Sequence, residues 1–324
     1  MQKTKLRFLG DTMGLAPFPV RFKEAMTAVL GEEDIPRSQF GLSSLAQLYP
    51  RVGLKLWRGK PFLKRKVIIS NLFNHTQTPI ELGWSVKKTQ VRDFRGKRLT
   101  YDSHNGTDFA IPIGSTVCTS APGQVVAVVS QFNRGGLKVF IDHGNGLITS
   151  YGHLAHSLVQ EGDIVSRAQP IAISGYSGID AAVTFPFGVP HVHLNVWLNG
   201  VAVDPFPFTE NPTMWRGGAM PIPANEKEGE FTPSEYLFDR IEQMIAACKS
   251  PLVRERLSAI EDPLKKAAHT VIEMNYFPTR FTTRLNVYAS LNDRQPVLDL
   301  PFLKADFDEV VFLDEVLPKA FRKY

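Results

Sequence analysis

The sequence has little cysteine and no long apolar run. Its two cysteines, Cys118 and Cys248, lie far apart and form neither a metal-binding pair nor a disulfide framework. A single bridge between them is left open. No apolar stretch approaches the ~20 residues of a membrane span. The sequence therefore predicts no transmembrane segment.

The first eleven residues also lack the features of a secretory leader. They include Lys3, Lys5 and Arg7, but no apolar core and no small-residue cleavage site follows. If the chain is complete and is not exported, it would be cytoplasmic.

Charge of one sign does not dominate the chain either. Lys and Arg number 37 and Asp and Glu number 32, a formal net charge of +5. A mildly basic surface suits an anionic polymer, and it also suits an ordinary soluble protein. Because no Lys/Arg run is interleaved with aromatics, we expect no nucleic-acid partner. The oligomeric state is not indicated.

What the sequence does have is a set of histidines between residues 104 and 193. The segment 189–198 reads as a strand, on which His191 and His193 would project from one face. Gly106 argues against a helix around His104 and Asp108, and a turn there can bring both onto one ion. Two histidines with one carboxylate leave a fourth position on zinc open for water, as in catalytic sites.

Four motifs carry a family resemblance. In order they are H-x-G-x-D at 104–108, Y-G-H-L at 151–154, G-D-x-V-x-x-x-Q-x-I-x-x-S-G at 162–175 and H-x-H at 191–193. Together they resemble the lysostaphin-type (LytM-type) zinc endopeptidases, which cut peptides of bacterial peptidoglycan. The resemblance covers residues 95–206.

The resemblance implies a role for each motif residue. His104, Asp108 and His193 would bind one zinc ion, and His153 and His191 would be catalytic histidines that do not bind it. Because the chain lacks a His-Glu-x-x-His motif, these histidines would handle the proton. The implied partner is peptidoglycan peptide, and the implied location is the cell envelope or the exterior.

The chain departs from the family's pattern at two places. The loop at 178–191 is longer than usual and would wall or partly cover the cleft. Asn195 stands where an acidic residue is common; we expect it to share a face with His191 and His193.

The remaining segments predict a mainly β catalytic domain with helical accessory regions, α+β overall. Strand and turn signals alternate across residues 66–210 and favour an antiparallel sheet. The interpretation divides the chain into an N-terminal accessory region (1–65), this catalytic domain, a Pro- and Gly-rich linker (211–230) and a C-terminal helical domain with terminal strands (231–324). The N-terminal region would either cover the cleft like a propeptide or cap the sheet.

Local signals predict particular elements. Residues 66–72 and 80–86 read as a strand, turn and strand, and residues 284–288 and 309–313 are also typical of strands. Helix start signals stand at Thr232-Pro233, Ser250-Pro251 and Asp262-Pro263.

Two alternatives belong to other classes of protein. Residues 163–173 also resemble strands of lipoyl or biotinyl carriers, although the modified lysine is missing. A LytM-like regulator that binds no metal and activates another hydrolase by contact is the other alternative.

Overall fold

The protein is built around a large β-sheet. A computed structural model describes residues 10–77, 79–225 and 229–317. The strands are β1 (Lys66–Asn71), β2 (Thr107–Ala110), β3 (Thr116–Cys118), β4 (Gly123–Gln131), β5 (Gly136–Asp142), β6 (Leu147–Ser157), β7 (Ile164–Val165), β8 (Pro170–Ser174), β9 (His191–Leu198), β10 (Val201–Ala202), β11 (Pro223–Ala224), β12 (Leu300–Leu303) and β13 (Glu309–Phe312).

Eleven of these strands form one sheet, whose main path runs β13-β1-β2-β9-β6-β5-β4-β7. The neighbouring pairs along that path are antiparallel except for β1 and β13, which pair in parallel. The predicted mainly β fold with helices is therefore confirmed. The sheet is mixed rather than wholly antiparallel, because a strand from the end of the chain joins its edge.

Seven helices with fully described bounds accompany this sheet. They are α1 (Phe18–Leu30), α2 (Pro50–Leu56), α3 (Ile179–Thr184), α4 (Phe238–Ala246), α5 (Pro251–Ser258), α6 (Pro263–Tyr276) and α7 (Leu313–Val316). Residues of α4, α5 and α6 pack on Phe140, Ile148 and Trp197 of the sheet. In the described ranges, no helix is both long and apolar enough to cross a membrane.

The start signal at Asp262-Pro263 correctly predicts a helix. The Asp262 carboxylate accepts the Lys265 N–H at 2.8 Å, and Pro263 opens α6, so the cap satisfies an amide that the helix itself leaves unpaired. The start signal at Ser250-Pro251 is likewise followed by α5.

The start signal at Thr232-Pro233 is wrong by several residues, because α4 begins at Phe238. The Ser234 hydroxyl donates to Asp142 at 2.7 Å and accepts the Gly146 N–H at 3.0 Å. This segment is therefore tied to the β5–β6 turn instead of opening a helix.

Two strand predictions are also wrong. Residues 80–82 form a 3-10 turn, and both edges of β1 are occupied by β2 and β13, so β1 has no edge left for a hairpin partner. Residues 284–288 contribute only an isolated bridge between Tyr288 and Tyr236. Cys118 and Cys248 are both free thiols and are buried, which resolves the open question of a bridge.

Candidate metal centre

Strand pairing brings three metal-binding side chains together. Asp108 on β2 lies directly opposite His193 on β9, and His104 precedes β2 by one turn. The Asp108 Oδ1 atom lies 2.7 Å from His193 Nδ1 and 3.1 Å from His104 Nε2, and the two nitrogens are 3.3 Å apart. The three donor atoms form a small triangle and all lie within 4.8 Å of one another.

This triangle fits zinc. Donors at ~2.0–2.1 Å from a tetrahedral zinc ion are separated by about 3.3 Å, close to the observed distances. Two imidazoles and one carboxylate are also the donor types that catalytic zinc prefers, and three donors leave one position open.

Neighbouring groups fix the orientation of these donors. His104 Nδ1 lies 2.6 Å from the Leu72 carbonyl oxygen, so this nitrogen carries the proton and Nε2 turns a lone pair to the centre. The Asn71 amide donates to Asp108 Oδ2 at 2.9 Å, which leaves Oδ1 for the ion. Such supporting hydrogen bonds are typical of metal sites.

Electrostatics keeps the carboxylate ionised. Burial raises the pKa of Asp108, but electrostatic interactions with His104 and His191 and the contacts with His104 and His193 outweigh burial and hold this pKa well below its usual range. The centre therefore offers an anionic oxygen to a cation at neutral pH.

His153 and His191 stand beside the triangle with a shared orientation. His153 Nδ1 lies 2.8 Å from the Ser177 carbonyl oxygen, and His191 Nδ1 lies 2.7 Å from that of Val189. A carbonyl only accepts, so each Nδ1 must donate, and each neutral ring keeps a lone pair on Nε2. The ring centroids are 4.7 Å apart, and His191 Nε2 is 3.5 Å from Asp108 Oδ1.

The structure thus brings together all five residues singled out in the sequence. Sequence reasoning missed Asn71, Tyr101 and Tyr176. The Tyr101 ring lies 4.5 Å from the His104 ring, and the Tyr176 ring lies 5.1 Å from the His191 ring. Only the position of Tyr101, three residues before His104, hints at its proximity.

Asn195 lies with His193 in the lining of one cavity and bonds to three neighbouring segments. Its amide nitrogen donates to the Asn105 carbonyl oxygen at 2.9 Å, and its Oδ1 accepts from Tyr276 at 2.9 Å and from Ser150 at 3.2 Å. The residue joins the loop of the first motif to β6 and α6.

The cleft over the centre has two walls. The cavity measures about 270 Å³ and includes Asn71, Asp108, His153 and His191 in its lining. One wall comes from Phe40, Leu45, Leu48 and Tyr49 of the N-terminal region, and the other comes from Val183, Thr184, Gly188 and Val189 of the 178–191 loop. The loop therefore does wall the cleft, and it contains α3.

Comparisons with known proteins match the part of the chain that holds the centre. The sequence model of "Peptidase family M23" matches residues 102–205. Peptidoglycan DD-endopeptidase ShyA of Vibrio cholerae is 44% identical over 101 residues, which cover 31% of this chain and 22% of that protein. Lysostaphin of Staphylococcus simulans is 30% identical over 125 residues, or 37% of this chain and 24% of that protein.

The chain thus spans less than a quarter of the length of these curated relatives. Among solved structures, a zinc-containing peptidase from Vibrio cholerae matches with a TM-score of 0.32 and 29% identity, covering 44% of this chain and 38% of that one. The matched segment begins two residues before His104 and ends after β9, so it includes every residue of the centre and both neighbouring histidines. Residues 102–205 form a peptidase M23 domain.

Proposed function

We propose that this protein is a zinc-dependent endopeptidase that cleaves peptide bonds in peptidoglycan stems or cross-bridges. The observation that carries the proposal is the donor triangle of His104, Asp108 and His193, with two further histidines turned toward the same cleft. The names of the relatives, peptidoglycan endopeptidase and lysostaphin, support the substrate class.

In this proposal, His104 Nε2, Asp108 Oδ1 and His193 Nδ1 hold the ion. When bound, zinc lowers the pKa of water from ~15.7 to about 7 and polarises a carbonyl. His153 and His191 act on the protons: either Nε2 can take a proton from the attacking water, and the other, once protonated, donates a hydrogen bond to the developing oxyanion.

The hydrogen bonds made by Nδ1 of His153 and of His191 fix the orientation of both rings for this chemistry. Because each Nδ1–H is held by a backbone carbonyl, neither ring can turn its lone pair away from the cleft without losing a hydrogen bond. Burial, reinforced by the electrostatic influence of His191 and His193, lowers the pKa of His153 well below its usual value, so His153 is neutral and able to accept a proton.

The proposal also includes the domain organisation predicted from the sequence. Residues 66–210 would form the catalytic domain, residues 1–65 and 231–324 would form accessory regions, and 211–230 would link them. A peptidoglycan substrate would place the site of action in the cell envelope or outside the cell.

The test combines metal content with peptide release. The full chain should retain about one zinc per molecule, in line with a single three-donor site, and should release soluble peptides from purified peptidoglycan. His193→Ala should lose the zinc. His153→Ala should keep the zinc and lose ~100-fold or more in turnover, the usual contribution of a general acid–base group.

A matched control lies on the same strand as His153. His156 is exposed on β6, and His156→Ala should change neither zinc content nor peptide release. A wild-type chain that holds zinc and releases no peptide would contradict the proposed activity, and undiminished release by His153→Ala would contradict the role of that histidine.

A further inference from the structure

Arg134 is a buried cation without a partner ion. It lies in the turn between β4 and β5, and the residue is 8% exposed. Within residues 10–77, 79–225 and 229–317, its guanidinium takes part in no ion pair, and its Nε has no hydrogen-bond partner. Buried charges are normally paired, so an unpaired arginine at this position calls for an explanation.

Aromatic rings hold the guanidinium in place but leave its donors unused. Its Cζ lies 4.9 Å from the Trp84 ring centroid and 6.0 Å from that of Phe277. Burial lowers the pKa of Arg134 to about 10, so the group is still protonated at neutral pH. A planar cation with free N–H groups is suited to a carboxylate, which it can bind with two parallel hydrogen bonds.

The position of Arg134 connects it to the metal centre. It lines a small second cavity together with His153 and His193. The turn that carries it also contacts one of the two histidines beside the centre, because the Gly135 carbonyl oxygen accepts the His153 N–H at 2.7 Å. A group bound by Arg134 would therefore lie beside a peptide bond held at the centre.

Asp180 is the acidic side chain in the lining of this cavity. The Asp180 carboxylate interacts electrostatically with Arg134. No salt bridge joins these two side chains in the part of the chain that the structure describes. The Asp180 Oδ2 atom instead lies 3.8 Å from His153 Nε2. The guanidinium thus keeps donors free for an anion that enters from the cleft.

We propose that Arg134 binds a free carboxylate of the substrate, carried by a residue next to the scissile bond. This inference rests on the proposed peptidase function and narrows its substrate class to peptides with an ionised carboxylate close to the cleaved bond. Arg134 is then a specificity-determining residue, and amidation of that carboxylate would weaken binding.

The test uses a matched pair of probes that differ only in this group. Diacetyl-Lys-D-Ala-D-Ala has a free terminal carboxylate, and its C-terminal carboxamide does not. Calorimetric titration of the full zinc-loaded chain should give roughly tenfold or tighter binding for the carboxylate, as expected for charge-assisted hydrogen bonds. The same preference should persist after zinc is removed with a chelator.

Variants separate Arg134 from the metal as the source of the preference. Arg134→Gln should bind both probes equally, and Arg134→Lys should keep part of the preference, since it retains the charge without the planar fork. Arg240 is exposed on α4, and Arg240→Gln should behave as wild type. Melting curves and zinc content would establish that each variant is folded.

Equal binding of the two probes by the wild-type chain, binding of neither, or a preference that survives in folded Arg134→Gln would overturn the inference. Peptide release from purified peptidoglycan, measured on the same samples, tests the peptidase function separately. Release without a carboxylate preference would refute the role of Arg134 alone, whereas a preference without release would refute the proposed activity alone.

Discussion

Gly106 offers a way to disturb the metal centre without removing a ligand. A Cβ at this position would lie 2.5 Å from the Leu194 carbonyl oxygen and 2.7 Å from His193 Nε2. Ordinary contacts between non-bonded heavy atoms are ~3.5–4.0 Å, so Gly106→Ala requires a movement of about 1 Å. Leu194 lies in the ladder between β2 and β9, and we therefore expect the His193 ring to move.

The expected effect is on zinc affinity. A shift of ~1 Å is large compared with the ±0.2 Å tolerance of metal–ligand distances. Mutations that disturb the orientation of a metal ligand typically lower metal affinity by 10–100-fold, about 1.4–2.7 kcal/mol. Competition with a chromophoric chelator would measure the dissociation constants of the wild type and Gly106→Ala. Overpacking should also lower the free energy of unfolding by about 1–3 kcal/mol.

Gly10 provides the control for this prediction. Among the residues that the structure describes, a Cβ there would meet no atom within 4 Å, so Gly10→Ala should bind zinc as the wild type does. If Gly106→Ala had wild-type zinc affinity and peptide release, the inferred link between this glycine and the His193 ring would be refuted.

Three further predictions concern other buried groups. Burial lowers the pKa of Lys138 from 10.5 to about 7; between these values the unfolded chain binds a proton that the folded chain lacks, so the free energy of unfolding should rise with pH by up to about 1.4 kcal/mol per unit. Lys138→Met should remove this slope in denaturant titrations. Ser234→Ala leaves the buried Asp142 carboxylate without its 2.7 Å donor and should cost about 1–3 kcal/mol of stability. Asn71→Ala should weaken zinc binding by roughly tenfold, because it removes the hydrogen bond that orients the carboxylate ligand.

Each of these predictions has an outcome that contradicts it. Parallel pH profiles for the wild type and Lys138→Met would show that Lys138 titrates normally. Thr232 is exposed, so Thr232→Ala should be nearly neutral beside Ser234→Ala; a larger loss at Thr232 would indicate that it caps a helix after all. Unchanged chelator competition by Asn71→Ala would mean that the Asp108 carboxylate is oriented without this contact.

The local sequence was sufficient to predict features that depend on interactions within a few residues. Proline at the first helical position and aspartate before it define the start of α6, because the cap acts within one turn. The strand predicted over residues 189–198 put His191 and His193 on one face, and the alternating strand and turn signals across residues 66–210 indicated the sheet. The ordered motifs then indicated which residues belong together.

Contacts between distant segments decided the rest. The prediction for residues 80–86 failed because β13, more than two hundred residues further along the chain, occupies the edge of β1 that a hairpin would use. The start signal at Thr232 failed because the Ser234 side chain bonds to the β5–β6 turn. A single sequence does not reveal such competition between partners.

The same distinction holds within the site. The sequence by itself identified His104, Asp108, His153, His191 and His193 as candidates, since each lies in a short motif. Only the tertiary structure decided that their donor atoms converge, that carbonyl groups fix the two free histidines, and that Arg134 lies unpaired beside them. Those properties depend on backbone groups and cavities assembled from separate strands, and no local pattern of residue types encodes them.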